Sequence, residues 1–181
     1  DETWADRGRG WAEPGSVPWI PEDMASASIG QSVVQITPLQ LARAYAVFAN
    51  GGWLVTPHLA SGGVDWMSPE RRRRVDLKPS TLQTIREGLR KVVSAGTGFG
   101  LNGPGIPPAA GKTGTAEDST GGPDHAWFGS YAPYPDGEIV VVAFAQNTPG
   151  GGSVHALPMA KKVLARWQSL RTVRPPSEPV D

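Results

Sequence analysis

The stretch Gly111-Lys112-Thr113-Gly114-Thr115-Ala116 sets an ammonium and two hydroxyls among small residues. Extended, it would put Thr113 and Thr115 on one face and Lys112 on the other, because side chains alternate along a strand. Two hydroxyls with a nearby ammonium can hold a carboxylate. Gly111 and Gly114 remove side chains where another backbone would have to approach closely. A strand at a sheet edge also offers unpaired N–H and C=O groups, to which an extended peptide can add as a further strand. The plain alternative for the same residues is a solvent-facing lysine in a hairpin.

Other groups carry less. The chain has no cysteine, which excludes disulfides, thiol nucleophiles and Cys-ligated metals. His58, His125 and His155 share no ligand spacing such as His-x-x-x-His. Glu22-Asp23 and Glu117-Asp118 are sequence neighbours whose carboxylates diverge in extended or loop backbone, so they read as solvated. Gly98-x-Gly100-x-x-Gly103 has the letters of a dinucleotide fingerprint, but that motif needs a strand before it and a helix after it. Here a helix precedes, and Pro104, Pro107 and Pro108 follow. Ser16 is followed at the fourth position by Trp19 rather than a lysine, so Glu13-Pro14-Gly15-Ser16 does not open a Ser-x-x-Lys helix.

Composition bounds the class. The 181 residues suit one domain, or a large piece of one, and 39% apolar content suits a packed core. Seventeen basic and seventeen acidic residues cancel, and no basic-aromatic stripe is present, which speaks against nucleic acid. The run Arg71-Arg72-Arg73-Arg74 reads as a solvated surface turn. The longest apolar run is Ile139 to Ala145, far short of the ~20 residues of a membrane span.

These features need elements to position them. Residues 1–25 read as an irregular segment with scattered tryptophans (Trp4, Trp11, Trp19), irregularity reaching to about residue 28. Thr37-Pro38-Leu39-Gln40 combines an N-cap, a proline at the first helical position and a capping box, predicting a buried helix over about 38–49 that ends at Asn50-Gly51. Trp53 to Leu59 reads as a short strand. Ser80-Thr81-Leu82-Gln83 reads as a second capping box, opening an amphipathic helix over about 81–93 through Leu82, Ile85, Leu89 and Val92. Strands are predicted over about 110–116, 125–132 and 138–146, joined by short turns and therefore antiparallel. The last is apolar throughout Ile139–Phe144, as a strand buried on both faces would be. Pro158 opens a last helix over about 157–169, with Met159, Val163 and Trp167 on one stripe, and residues 171–181 form a mobile tail.

Several blocks together resemble a known family. Ser28-Ile29-Gly30-Gln31, Thr37-Pro38-Leu39-Gln40-Leu41-Ala42 and Ala49-Asn50-Gly51-Gly52 come first; Ser94-Ala95-Gly96-Thr97, the Lys112 stretch and His125-Ala126-Trp127-Phe128-Gly129 follow. In order and spacing they resemble the transpeptidase domain of class B penicillin-binding proteins, within the serine β-lactamase/transpeptidase-like superfamily, over about 26–170. Lys-Thr-Gly is one of that superfamily's three short motifs. The resemblance implies an α+β fold, an antiparallel sheet with helices on both faces, of which this chain would be the C-terminal half. It implies a peptidoglycan D,D-transpeptidase acting through an acyl-serine, inhibited by β-lactams, with no cofactor. Lys112 would be the electrostatic and proton-relay lysine. Thr113, Gly114 and Thr115 would bind substrate, the hydroxyls taking the D-alanine carboxylate and the Thr115 N–H serving as an oxyanion-hole donor. Trp127 and Phe128 read as packing behind the strand.

The family's Ser-x-x-Lys and Ser-x-Asn motifs are absent from these residues. The resemblance therefore places the nucleophile upstream and predicts that this chain alone forms no acyl-enzyme. It predicts an unpaired edge on the Ile139–Ala145 strand and exposed apolar helix faces. It implies a membrane anchor upstream, a catalytic domain on the extracytoplasmic side of the bacterial inner membrane, stem peptides ending in D-Ala-D-Ala as substrate, and other cell-wall synthesis proteins as partners. A serine β-lactamase or carboxypeptidase, and a penicillin-recognising sensor without catalysis, stay open as alternatives.

Overall fold

In the computed structural model the described residues are 20–31, 35–59, 68, 71–118 and 121–173. Trp4, Trp11 and Trp19 and the residues from 174 onward lie outside them.

Helix α1 (Pro21–Ser28) corrects the irregular reading of this segment. Pro21 sits where its missing N–H costs nothing, and the Asp23 carboxylate accepts the N–H of Ile20 at 3.1 Å. Gly30, at φ 77°, turns the chain out of the helix. The N–H groups of Gly30 and Gln31 close back on the carbonyls of Ala27 and Ser26, both at 3.0 Å, in a Schellman motif. Helix α2 (Pro38–Ala49) starts and ends where its signals predict. Thr37 Oγ1 accepts the Gln40 N–H at 3.2 Å, and Gln40 Oε1 accepts the Thr37 N–H at 2.8 Å. Its C-terminal half is buried at Tyr45, Val47 and Ala49, whereas Leu39 is exposed.

Strand β1 is limited to Trp53–Val55, and its partner β2 is Arg72–Arg74. The arginine run is thus a strand rather than a turn. Arg72 and Arg74 lie on the Trp53 ring, 4.4 and 5.4 Å from its centroid, so an aromatic partner on the neighbouring strand decides its conformation. Helix α3 (Pro79–Ala95) starts earlier than the expected capping box. Pro79 takes the first turn, Gln83 pairs with Glu87, and Ser80 gives its carbonyl to Thr84, so neither expected capping residue caps. A 3-10 turn at Phe99–Leu101 interrupts the loop that follows.

Strands β3 (Ala110–Ala116), β4 (His125–Ala132) and β5 (Ile139–Ala145) form an antiparallel sheet in that order. Lys112 pairs with Gly129 and Gly114 with Trp127, while Val141 pairs with Ser130. Among the described residues β5 pairs only with β4, leaving its other edge without a strand partner. Helix α4 is one turn (Gly151–Val154), and α5 runs over Ala156–Val173, into the stretch expected to be tail.

The sheet is the middle of three layers. On one face α2 brings Tyr45 and Ala49 to Ala110 and Tyr131, with Val140 against them. On the other, α5 packs Ala156, Leu157, Ala160 and Leu164 against Phe128, Val141 and Ala143. The buried stripe of α5 is therefore not the expected one: Met159 is 46% and Val163 47% exposed. The helix carries two apolar stripes, and the one with alanines lies close to the sheet. No described helix is long and apolar enough to cross a membrane.

Candidate active site

The outer edge of β3 is the site's frame. Among the described residues the strand pairs with β4 alone, on one side. In an antiparallel strand each residue turns its N–H and C=O to the same side, and successive residues alternate. Two contacts identify the outward set. Lys112 Nζ donates to the Thr113 carbonyl at 2.7 Å, and Gln31 Nε2 donates to the Thr115 carbonyl at 3.2 Å. Thr113 and Thr115 thus present their peptide groups away from β4, while Lys112 and Gly114 face it.

Side chains alternate in the other sense. Lys112 lies on the α2 face, opposite Gly129, and is exposed. Thr113 and Thr115 lie on the α5 face, opposite Phe128 and Ala126. Thr113 Oγ1 shares a 2.8 Å hydrogen bond with Thr97 Oγ1, which follows the end of α3. Thr115 Oγ1 lies against Gly151, where an added Cβ would come within 2.4 Å of it. All four expected site residues, Lys112 to Thr115, line one cleft of about 680 Å³. The expected alternation holds, and one strand carries all four residues to that cleft.

Trp127 departs from expectation. It lines the cleft and packs on Phe144, with ring centroids 4.3 Å apart, whereas Phe128 is fully buried behind the strand. The two rings take opposite faces because they are adjacent in β4. His125 also lines the cleft, and its Nδ1 accepts the Asn147 N–H at 3.2 Å.

Two site-side residues were not singled out from sequence. Gln31 bridges the β3 edge, Nε2 to the Thr115 carbonyl and Oε1 to the Glu117 N–H at 3.3 Å. Thr97 orients the Thr113 hydroxyl. Both stand inside the blocks that resemble the family, but no local signal assigns them a partner in β3. Among the described residues no group of His, Asp and Glu is placed to hold a metal ion.

Comparison with known proteins gives the family. Residues 7–165 match the family described as penicillin binding protein transpeptidase domain. The chain is 34% identical over 176 residues to peptidoglycan D,D-transpeptidase MrdA of Haemophilus influenzae, covering 85% of this chain and 27% of that protein. It is similar in structure to Pseudomonas aeruginosa PBP2 in complex with WCK 5153, with a TM-score of 0.71 and 29% identity, over 92% of this chain and 35% of that one. Penicillin-binding protein A from M. tuberculosis, solved as an imipenem acyl-enzyme complex, is similar at a TM-score of 0.67 and 27% identity, over 93% and 41%. The chain spans 27% of MrdA from H. influenzae and 26% of MrdA from Acinetobacter baumannii. With its α+β sheet and its Lys-Thr-Gly edge strand, the chain belongs to the penicillin-binding protein transpeptidase domain family.

Proposed function

We propose that this chain supplies one wall of the cleft of a peptidoglycan D,D-transpeptidase, the wall on which the substrate peptide is laid. The observation that carries the reading is the outward pair of peptide groups on Thr113 and Thr115, beside the Lys112 ammonium in an open cleft. An extended stem peptide ending in D-Ala-D-Ala adds to that edge as a strand. Thr113 and Thr115 hold its terminal carboxylate with their hydroxyls, and Lys112 supplies positive charge across the cleft. The Thr115 N–H donates to the carbonyl oxygen as it becomes an oxyanion.

The chemistry is acyl transfer in two balanced halves. A serine Oγ, supplied from outside these residues, bonds to the penultimate D-Ala carbonyl carbon as the C–N bond to the terminal D-alanine breaks. The proton lost by the serine goes to the departing amine. An amine of a second stem peptide then attacks the ester carbon, and the serine oxygen leaves and regains a proton. A β-lactam enters the first half and stalls at the ester. The parent protein is placed at the extracytoplasmic face of the inner membrane, where peptidoglycan and the other proteins of its synthesis are found.

A fluorescent penicillin tests the reading. The 181-residue chain alone should take no covalent label, and the protein with an upstream Ser-x-x-Lys segment should take it. Lys112→Ala in that protein should slow labelling by about a hundredfold or more, the scale of losing a positioned charge at an oxyanion site. Covalent label on the chain alone would overturn the placement of the nucleophile. Labelling unchanged by Lys112→Ala would overturn the role of the strand.

A further inference from the structure

The carboxamide of Gln31 occupies a strand-pairing position. Its Nε2 fills the Thr115 carbonyl and its Oε1 takes the Glu117 N–H, at 3.2 and 3.3 Å. These are groups that a neighbouring strand would bond, and a carboxamide carries the same donor and acceptor as a peptide unit. The contact joins residues 84 apart, so it is a feature of the tertiary fold. The backbone of Gln31 is fixed independently by its N–H to the Ser26 carbonyl at the end of α1. Its side chain can therefore leave β3 without moving its Cα. Both bonds are long for N–H···O contacts and lie at the surface, where water replaces a lost partner.

We infer that Gln31 is a removable edge cap, which an incoming peptide must displace to pair through the Thr115 carbonyl. The inference rests on the proposed reading of the β3 edge as the peptide-binding wall. A substrate residue opposite Thr115 in an antiparallel ladder offers an N–H to its carbonyl and a C=O to its N–H. Gln31 holds the carbonyl and not the N–H. It thus competes with ligands that bring an N–H to this rung, and it leaves untouched ligands that bring an acceptor alone. Gln31 is in this sense a specificity-determining residue rather than a catalytic one.

The test compares an N-acyl peptide ending in D-Ala-D-Ala with its counterpart in which the N-acyl amide is an ester, and so lacks the N–H. Both are assayed on the protein with its complete transpeptidase domain, as wild type, Gln31→Met and Gln31→Asn. Methionine keeps the length without the hydrogen bonds, and asparagine is too short to span both groups. Removing the cap should lower KM for the amide substrate about three- to tenfold, the scale of one net hydrogen bond. The ester substrate should keep its KM within about twofold, so the amide-to-ester preference rises in both variants. A preference that stays at the wild-type value, or falls, overturns the inference while penicillin labelling persists. If the wild-type protein takes no covalent penicillin, the reading of the whole wall fails instead.

Discussion

Tyr45 lies directly on the bare backbone of Gly129: a Cβ added there would stand 2.4 Å from Cε2 of the ring. Gly129 is the cross-strand partner of Lys112, so the packing of α2 on the sheet and the placement of the site lysine meet at one residue pair. Gly129→Ala should lower stability by about 1–3 kcal/mol, because a buried aromatic must move to admit the methyl. Gly88 is the contrast. It sits within α3 with nothing near its missing Cβ. Gly88→Ala should raise stability by about 0.5–1 kcal/mol through reduced freedom of the unfolded chain. Thermal unfolding of the two variants should shift in opposite directions, and a shared direction would refute the packing argument.

Arg86 stitches α3 to the end of α2. Its Nε donates to the Phe48 carbonyl at 2.6 Å, and its Nη2 to the Ala49 carbonyl at 3.1 Å and the Asp136 carboxylate at 3.2 Å. The carbonyls are helix-end acceptors that need partners, whereas the Asp136 side chain is 86% exposed. The Ala49 carbonyl also takes the Gly137 N–H at 3.0 Å, so Arg86→Met should cost about 1–3 kcal/mol chiefly by stranding the Phe48 carbonyl. Asp136→Asn should cost less than about 0.5 kcal/mol, as exposed ion pairs do. Denaturant titration of both variants separates the two effects, and equal losses would assign the stabilisation to the ion pair.

How much of this was legible before the structure depends on where the determining contact lies. Thr37, Pro38 and Gln40 mark α2 locally, and it starts and ends as predicted. The strands of the sheet were equally plain, because apolar runs and turn residues bound them. Helix α1 was missed because three residues after Ile20 carry its start and no apolar stripe follows. The arginine run needed Trp53, which reaches it only through strand pairing. On α5 periodicity shows that a stripe exists but not which of two meets the sheet. The alternation of Lys112 and the threonines along β3 was readable from one stretch. The contact of Gln31 was not, since it exists only once α1 lies beside β3.

Tyr131 buries its hydroxyl with no hydrogen-bond partner among the described residues. Tyr131→Phe should accordingly raise stability, by about 1 kcal/mol or more, since the unpaired hydroxyl has been desolvated without return. Burial also pushes the Tyr131 and Tyr45 hydroxyls up to about 12, with nearby Arg86 opposing the shift at Tyr131. Each phenol thus holds its proton more tightly folded than unfolded. Their contribution is complete below pH 10 and is lost as the pH rises through about 12. A two-unit shift is worth about 3 kcal/mol per tyrosine at the alkaline limit. Stability measured between pH 9 and 12 should fall less steeply in Tyr131→Phe than in wild type. Parallel curves would show that the phenol does not titrate with unfolding.

Gly152 holds the back of the site wall. A Cβ there would come 2.2 Å from the Trp127 carbonyl oxygen, and 2.6 and 2.9 Å from the carbonyl oxygen and nitrogen of Gly114. All three contacts are backbone, so no side chain can rotate away. Gly152→Ala must shift either the turn or the pair of strands that carries Lys112 and Thr115. Tyr131, Phe128 and the α5 alanines hold the strands from both faces, yet among the described residues β3 is an edge strand and yields more easily than β4. A displacement of about 1 Å at positioning groups can cost on the order of a hundredfold in rate. In the protein with its complete transpeptidase domain, Gly152→Ala should therefore slow covalent penicillin labelling at least about tenfold. Labelling within about twofold of wild type would show that the turn moves and the strand stays.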